Sequence, residues 1–264
     1  MFDSLKWHPD RMVLGDLVFH LETEADASWR LRDSGFVFYK QRFQIEQYAH
    51  LWNELGCFAA SNIIELGIYD GGSIAFWYEH FHPSRLVGID SACRGESSYF
   101  RWYRQSRSID SQIKLYWHID QSDRRALEVI ADLNFAGSLD LVIDDASHLY
   151  APTKTSFEVL FPRLRPGGLY IIEDWSWSSW TSVPSFMEER LDSELSHFIF
   201  EITEAVGSAN KNHSCREGGP RYFDSLLLWP DIAVIRRGDK PWDGRKRFSV
   251  DEHRTAHGRR RRWV

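Results

Sequence analysis

The sequence is poor in cysteine and contains no long apolar run. Its three cysteines, Cys57, Cys93 and Cys215, are widely spaced and include no CxxC pair, which argues against a structural zinc site or a disulfide framework. No apolar run approaches the roughly 18 residues that a membrane-spanning helix needs, and the opening residues "MFDSLKWHPDRM" lack the apolar core of a signal peptide. We therefore expect a cytoplasmic protein that does not associate with membranes.

The chain also lacks an excess of positive charge. It carries 32 Lys and Arg against 38 Asp and Glu, for a net charge of −6. A nucleic-acid-binding function gains no support from this balance, and we interpret the short basic run from Arg259 to Arg262 as a solvated segment or an oligomer contact. The length of 264 residues and the 43% of hydrophobic residues fit one large α/β domain with additions.

Short apolar runs alternate with amphipathic stretches through the middle of the chain. The runs predict five strands, at residues 62–67, 85–90, 112–117, 139–144 and 168–174. Helical periodicity occurs at residues 42–56, 71–81, 122–133 and 153–164. Unbroken apolar strands that alternate with helices predict a doubly wound, mostly parallel sheet covered on both faces. Two later runs, "SLLLW" and "IAVIRR", predict a terminal antiparallel hairpin and bring the sheet to seven strands.

These patterns divide the chain into three parts. Residues 1–40 read as an irregular N-terminal arm, residues 41–237 as the main α/β domain, and residues 238–264 as a basic C-terminal tail. Residues 203–222 are polar and glycine-rich, which predicts a surface loop.

The first predicted strand leads into the glycine turn "ELGIYDGGS", residues 65–73. Glycine lets a backbone approach a ligand closely where a strand turns into a helix. The spacing G-x-x-x-G-G departs from the dinucleotide pattern, and the acidic flanks Glu65 and Asp70 would repel a pyrophosphate. S-adenosylmethionine has no phosphate and carries two positive groups, so the turn predicts a site for this cofactor. The structural alternative is a tight strand–helix connection.

Polar residues at the next two strand ends extend this prediction. Asp90 ends the second strand about 20 residues past the turn, where a carboxylate can accept both ribose hydroxyls; its structural alternative is a helix N-cap. Asp120 and Gln121 follow the third strand and could meet the adenine edge.

The fourth and fifth strands each end in paired acids, Asp144–Asp145 and Glu173–Asp174. Four carboxylates at one sheet edge would repel one another unless a divalent cation neutralised them, and oxygen ligands of this kind suit Mg²⁺ or Mn²⁺. We therefore predict an open metal site, with one or two of the acids turned elsewhere. His148 follows closely and can act as a general base. Capping of the following helices is the structural alternative for both acidic pairs.

Three tryptophans follow the second acidic pair, at Trp175, Trp177 and Trp180. Their rings could stack on a sugar or an aromatic acceptor, or they could be local packing.

Four segments, "IIELGIYDGGSIAFW", "LVGID", "DQSD" and "LDLVIDDASH…TSFEVLFPRLRPGGLYIIEDW", together resemble the metal-dependent class I S-adenosylmethionine methyltransferases. The nearest group is that of the macrocin and mycinamicin sugar O-methyltransferases, and the cephalosporin-hydroxylase-like proteins share the same core. The resemblance covers about residues 40–180 and is most specific in "IDDASH…RPGG.Y.IED". It implies a Rossmann-like methyltransferase sheet within residues 41–237.

The resemblance also implies roles for individual residues. Asp145, Glu173 and Asp174 would hold Mg²⁺ or Mn²⁺, and His148 would be the general base. The implied cofactor contacts are Glu65, Gly67, Tyr69, Gly71, Ser73, Asp90, Asp120, Gln121 and Asp144.

The function implied is O-methylation of a hydroxyl on a sugar or a glycosylated natural product. Two alternatives stay open: a catechol or phenolic O-methyltransferase, and a non-methylating protein that binds the cofactor. The expected partner is a small hydroxylated acceptor, with no nucleic acid and no membrane. Because members of the family assemble through their terminal arms, the resemblance also implies a homo-oligomer.

Overall fold

A computed structural model of the protein describes residues 2–21, 34–56, 58–93, 95–180, 194–208, 220–244, 246–256 and 259–260. The chain forms two compact units, residues 1–120 and 121–264. Cys57, Cys215, the centre of the predicted loop at 209–219 and the tail end at 261–264 lie outside the described residues. The predicted domain boundaries at residues 40 and 237 stay a prediction.

The N-terminal arm contains a small sheet, so the expectation of an irregular segment was wrong. Its strands are β1 (Lys6–Trp7), β2 (Arg11–Leu14), β3 (Leu17–Leu21) and β4 (Phe36–Phe38), in that order. Strands β1 to β3 are antiparallel, and β4 lies parallel to β3. Because these strands are two to five residues long, they are too short for a periodic signal in the sequence.

The first unit continues with alternating helices and parallel strands. The elements are α1 (Arg42–Leu55), β5 (Asn62–Leu66), α2 (Gly72–Phe81), β6 (Arg85–Asp90), α3 (Ser98–Arg107) and β7 (Ile113–Trp117). Strand β6 pairs in parallel with β5 and with β7. Of the six elements in this list, α3 is the one that the sequence did not predict. Its buried residues are Phe100 and Tyr103 alone, so the segment has little helical periodicity of apolar residues.

The second unit contains the two strands that end in paired acids. Its elements are α4 (Arg124–Asn134), β8 (Leu139–Asp144), α5 (Tyr150–Leu160), β9 (Leu164–Glu173), α6 (Leu195–Ser208), β10 (Phe223–Leu228) and β11 (Ile232–Arg237). Strands β8 and β9 are parallel, whereas β11 is antiparallel to β9 and to β10. The predicted hairpin is therefore confirmed. All six residues of β8 are buried, as expected for a strand covered on both faces.

Strands β5 to β11 follow the order β10-β11-β9-β8-β5-β6-β7 in one seven-stranded, mostly parallel sheet. This confirms the predicted doubly wound, Rossmann-like fold class. Among the described residues, no helix combines the length and the apolar character that crossing a bilayer requires.

Two segments near the C-terminus differ from a simple loop and tail. Residues 203–208, predicted as part of a polar loop, belong to the last turns of α6. Within the predicted basic tail, Phe248 and Val250 are buried, and the guanidinium of Arg254 pairs with Glu204 at 2.9 Å and with Glu201. These contacts fasten the described part of the tail to α6.

Candidate active site

The glycine turn connects β5 to α2 and uses left-handed backbone conformations that favour glycine. Gly67 has φ +79° and Gly71 has φ +92°, while Tyr69 between them has φ +51°. A Cβ atom at Gly71 would lie 2.7 Å from the ring of Phe100. Glycine at this position is therefore required by the protein's own packing.

The acidic side chains around this turn accept hydrogen bonds from its backbone and from two backbone amides outside it. Asp90 accepts from the amides of Ile68 at 3.0 Å and Tyr69 at 2.9 Å, and from that of Ala92 at 2.7 Å. Asp70 accepts from Val37 N at 3.0 Å and from Gly72 N at 3.1 Å. Both carboxylates thus hold the turn in shape.

Most of the predicted cofactor residues lie on or beside this turn. Glu65 is fully buried and accepts a hydrogen bond from Trp77 Nε1 at 3.1 Å. Ser73 lies in the first turn of α2, and Asp120 is exposed after β7. Contact of these residues with a cofactor stays a prediction.

Three residues of the second unit, Asp145, His148 and Asp174, form what we call the acid–histidine group. Each offers one ligand atom, and these atoms lie within 4.8 Å of one another. His148 Nε2 is 3.7 Å from Asp145 Oδ1 and 4.0 Å from Asp174 Oδ2. Their side chains are 24%, 12% and 19% exposed for Asp145, His148 and Asp174 respectively, so the group is partly accessible. The two carboxylates offer oxygen ligands of the kind that a divalent cation such as Mg²⁺ takes, and the imidazole lies beside them.

The group forms because Asp145 and Asp174 each lie one residue beyond the end of a paired strand. Asp144 is aligned with Ile172 in the parallel pair β8–β9, so both strands end at the same edge of the sheet. Glu173 is the last residue of β9, is 1% exposed and does not belong to the group of described residues within 4.8 Å. Its role as a metal ligand stays a prediction.

Two of the three residues have unusual backbone conformations. His148 has φ +55° and Asp174 has φ +52°, in the left-handed region that non-glycine residues rarely adopt. Such conformations persist where the surrounding structure holds them, and they occur often at functional sites.

Asp144, the other acid of the first pair, is buried within a hydrogen-bond network. Its carboxylate accepts from Tyr170 Oη at 2.8 Å, from Ser156 Oγ at 2.9 Å and from Gln121 Nε2 at 2.5 Å. Burial raises the pKa of Asp144 to about 6, against the lowering effect of the Tyr170 and Ser156 hydrogen bonds.

Gln121 extends this network to the loop that carries His148. Its Oε1 accepts from Ser147 Oγ at 2.7 Å, so the buried carboxylate of Asp144 orients the amide that holds Ser147. The sequence assigned Asp144 and Gln121 to the cofactor, which stays a prediction, and did not identify Tyr170 or Ser156. A hydroxyl inside the apolar run of β9 was the available signal, because a buried hydroxyl needs a polar partner.

The three tryptophans have different surroundings. Trp177 is fully buried, and its indole Nε1 donates to the backbone oxygen of His148 at 2.7 Å. Trp175 Nε1 donates to the backbone oxygen of Trp229 at 2.8 Å, and Trp180 is half-buried. Local packing, one of the two interpretations considered, therefore applies to Trp177.

Comparison with known proteins gives matches to methyltransferases. Residues 64–175 match the family model described as a methyltransferase domain. Over 190 residues the chain is 32% identical to the 8-demethyl-8-alpha-L-rhamnosyl tetracenomycin-C 2'-O-methyltransferase of Streptomyces olivaceus, covering 67% of this chain and 46% of that protein. It is 34% identical to the mycinamicin VI 2''-O-methyltransferase of Micromonospora griseorubida, covering 67% of this chain and 43% of that protein.

The chain thus spans less than half the length of these curated relatives. The MycE methyltransferase of the mycinamycin biosynthetic pathway, solved in complex with Mg and SAH, matches with a TM-score of 0.53 and 25% identity, over 76% of this chain and 50% of that one. The motifs, the fold and these matches agree that residues 64–175 form a methyltransferase domain, similar to the domains of the sugar O-methyltransferases named above.

Proposed function

We propose that this protein transfers a methyl group from S-adenosylmethionine to a hydroxyl of a sugar or a glycosylated natural product, with Mg²⁺ or Mn²⁺ bound. The observation that carries the proposal is the acid–histidine group, in which two carboxylates and an imidazole lie within 4.8 Å of one another. The relatives named above, which methylate sugar-bearing products according to their names, support the sugar as acceptor.

Asp145 and Asp174, together with Glu173, would hold the cation. When bound, the cation supplies positive charge that lowers the pKa of an acceptor hydroxyl beside it. Two adjacent hydroxyls on a sugar ring would suit such a site, because both oxygens could take the place of water molecules beside the cation. The residues of the glycine turn, Glu65, Gly67, Tyr69, Gly71 and Ser73, would bind the methyl donor, with Asp90, Asp120, Gln121 and Asp144.

His148 would act as the general base. Its Nε2 takes the proton of the acceptor hydroxyl, and the oxygen forms a bond to the methyl carbon as the bond from that carbon to sulfur breaks. The sulfur of S-adenosylhomocysteine is a neutral thioether after the transfer, and the proton stays on the imidazole until it is lost to solvent. Asp145 Oδ1 and Asp174 Oδ2 lie 3.7 and 4.0 Å from Nε2. We also propose that the protein forms a homo-oligomer, which light scattering tests.

The experiment combines metal removal with replacement of the base. Wild-type protein is assayed with glycoside and catechol acceptors, and both S-adenosylhomocysteine and methylated product are measured, with and without EDTA. We expect methylation of glycosides that EDTA abolishes and Mg²⁺ restores. The His148→Ala variant should lose on the order of 10²–10⁴-fold in kcat and bind S-adenosylhomocysteine as the wild type does.

The matched control is His197→Ala, because His197 is an exposed histidine on α6 and should leave kcat unchanged. Activity that survives both EDTA and His148→Ala would show that the mechanism is wrong. Methylation of catechols alone would show that the acceptor class is wrong, and calorimetry that detects no S-adenosylmethionine binding would favour a non-methylating protein.

A further inference from the structure

Trp177 is hydrogen-bonded to the main chain of two members of the acid–histidine group. Its indole Nε1 donates to the carbonyl oxygen of His148 at 2.7 Å, and its backbone amide donates to the carbonyl oxygen of Asp174 at 3.2 Å. One buried residue therefore joins the loop that follows β8 to the loop that follows β9.

The two residues it joins are those in left-handed conformations, His148 at φ +55° and Asp174 at φ +52°. Non-glycine residues stay in that region only where several contacts hold them. Asp174 has a further main-chain contact, because its amide donates to the backbone oxygen of Asp231 at 2.7 Å. At His148 the φ angle directs the imidazole, and the indole bond holds the adjoining carbonyl.

We propose that Trp177 is a positioning residue for the metal and the general base, an inference that rests on the proposed function of the same site. The indole N–H fixes the backbone of His148, and this keeps His148 Nε2 at 3.7 Å from Asp145 Oδ1 and 4.0 Å from Asp174 Oδ2. Trp177 is 0% exposed, so it acts through these residues and does not touch the acceptor.

A role in filling the core is the competing explanation, and the ring and the N–H can be separated. Trp177→Phe keeps an aromatic ring but removes the donor. Trp175→Phe is the matched control, because it removes an indole bond of similar length, 2.8 Å to Trp229 O, from the same segment and leaves the bond to His148 in place.

The main readout is metal binding, which does not depend on turnover. Free Mn²⁺ is titrated into each protein and followed by electron paramagnetic resonance, and S-adenosylhomocysteine binding is measured by calorimetry. We expect Trp177→Phe to weaken Mn²⁺ binding by roughly 10–100-fold, the range for groups that orient metal ligands, and to leave S-adenosylhomocysteine binding within about twofold of wild type. Trp175→Phe should stay within about twofold for both ligands.

Turnover provides a second readout. At saturating Mn²⁺, we expect Trp177→Phe to lower kcat by about tenfold or more, since the base is displaced, with KM for S-adenosylmethionine unchanged. If Trp177 only fills the core, Trp177→Phe should instead lower the melting temperature and weaken the binding of Mn²⁺ and of S-adenosylhomocysteine together.

The outcomes separate this inference from the proposed function. Wild-type protein that binds no Mn²⁺ would refute the metal site itself. Wild-type binding with an unchanged Trp177→Phe variant would refute the positioning role alone. If Trp177→Phe does not fold, nuclear magnetic resonance of the wild-type indole N–H groups provides the test. Addition of Mg²⁺ should shift the Trp177 signal and leave the Trp175 signal in place. A Trp177 signal that does not move would overturn the inference.

Discussion

The glycine turn and the acid–histidine group both place carboxylates at strand ends, but they use them differently. Around the turn, Asp70 and Asp90 accept hydrogen bonds from five backbone amides, Val37, Gly72, Ile68, Tyr69 and Ala92. In the acid–histidine group, Asp145 and Asp174 are half-buried and lie beside the same imidazole.

This difference separates carboxylates that shape the chain from carboxylates arranged for a ligand. Backbone amides satisfy a carboxylate within the fold, so its removal should destabilise the folded state. Like charges held close together repel, so replacing one carboxylate by a neutral amide of the same size should relieve this repulsion in the metal-free protein.

The largest expected effect is on metal binding, from Asp145→Asn. The substitution removes a charged ligand atom, so we expect Mn²⁺ affinity to fall by on the order of 100-fold or more. The free energy of unfolding of the metal-free protein should stay the same or rise. Titration with Mn²⁺ and urea unfolding in EDTA check the two statements.

Asp132→Asn is the control for this substitution, because Asp132 is a largely exposed carboxylate on α4 and its loss should change neither quantity. If Asp145→Asn destabilised the metal-free protein as strongly as it weakened Mn²⁺ binding, Asp145 would belong with the carboxylates that shape the chain.

Asp90→Ala tests the opposite side of the comparison. The change leaves the amides of Ile68, Tyr69 and Ala92 without their acceptor, and we expect a loss of about 2–3 kcal/mol in the free energy of unfolding. Urea unfolding measures it, and Mn²⁺ affinity of the folded fraction should be unchanged.

Asp90→Asn retains one acceptor oxygen and should recover part of this stability. An Asp90→Ala protein as stable as wild type would show that water replaces the carboxylate. The claim that the carboxylates around the glycine turn stabilise the fold would then be wrong.

Much of the fold was predictable because buried parallel strands leave unbroken apolar runs. The predicted strands at 85–90 and 139–144 coincide with Arg85–Asp90 and Leu139–Asp144, and the hairpin was also found. The strands of the N-terminal arm were missed because two to five residues cannot establish a period.

The candidate site was predictable in composition but not in detail. Strand ends that carry acids indicated that Asp145, Glu173, Asp174 and His148 would lie together. Asp145, His148 and Asp174 do so, and Glu173 is not part of this group of described residues. Which acid of each pair is buried depends on the residue at which the strand ends. Asp144 and Glu173 are the last residues of β8 and β9 and are buried, whereas Asp145 and Asp174 lie one residue further, and no pattern in the sequence fixes this boundary.

The role of Trp177 was unpredictable for a related reason. A run of tryptophans fits either a stacking surface or local packing, and the choice depends on where each indole N–H points. The left-handed conformation of His148 arises from tertiary contacts, since histidine has no strong local preference for it.

The smallest expected effect concerns α2, the helix that begins at the glycine turn. His80 on this helix packs against the rings of Phe2, Trp52 and Phe81 at 5.0, 5.8 and 4.3 Å. Burial lowers the pKa of His80 from 6.5 to about 4. Between these values the unfolded chain binds the proton that the folded chain excludes, so stability falls as the pH falls from 6.5 towards 4.

His80→Phe should remove this part of the acid sensitivity while keeping an aromatic ring. We expect the wild type to lose about 1–2 kcal/mol more than the variant between pH 7 and pH 4.5, a figure reduced for the partial exposure of the ring. Urea unfolding of the metal-free proteins at both pH values measures the difference, with His197→Phe as the control at an exposed histidine. Equal acid sensitivity in wild type and His80→Phe would mean that His80 is hydrated when protonated, and the acid loss would then have to be sought in other titratable groups.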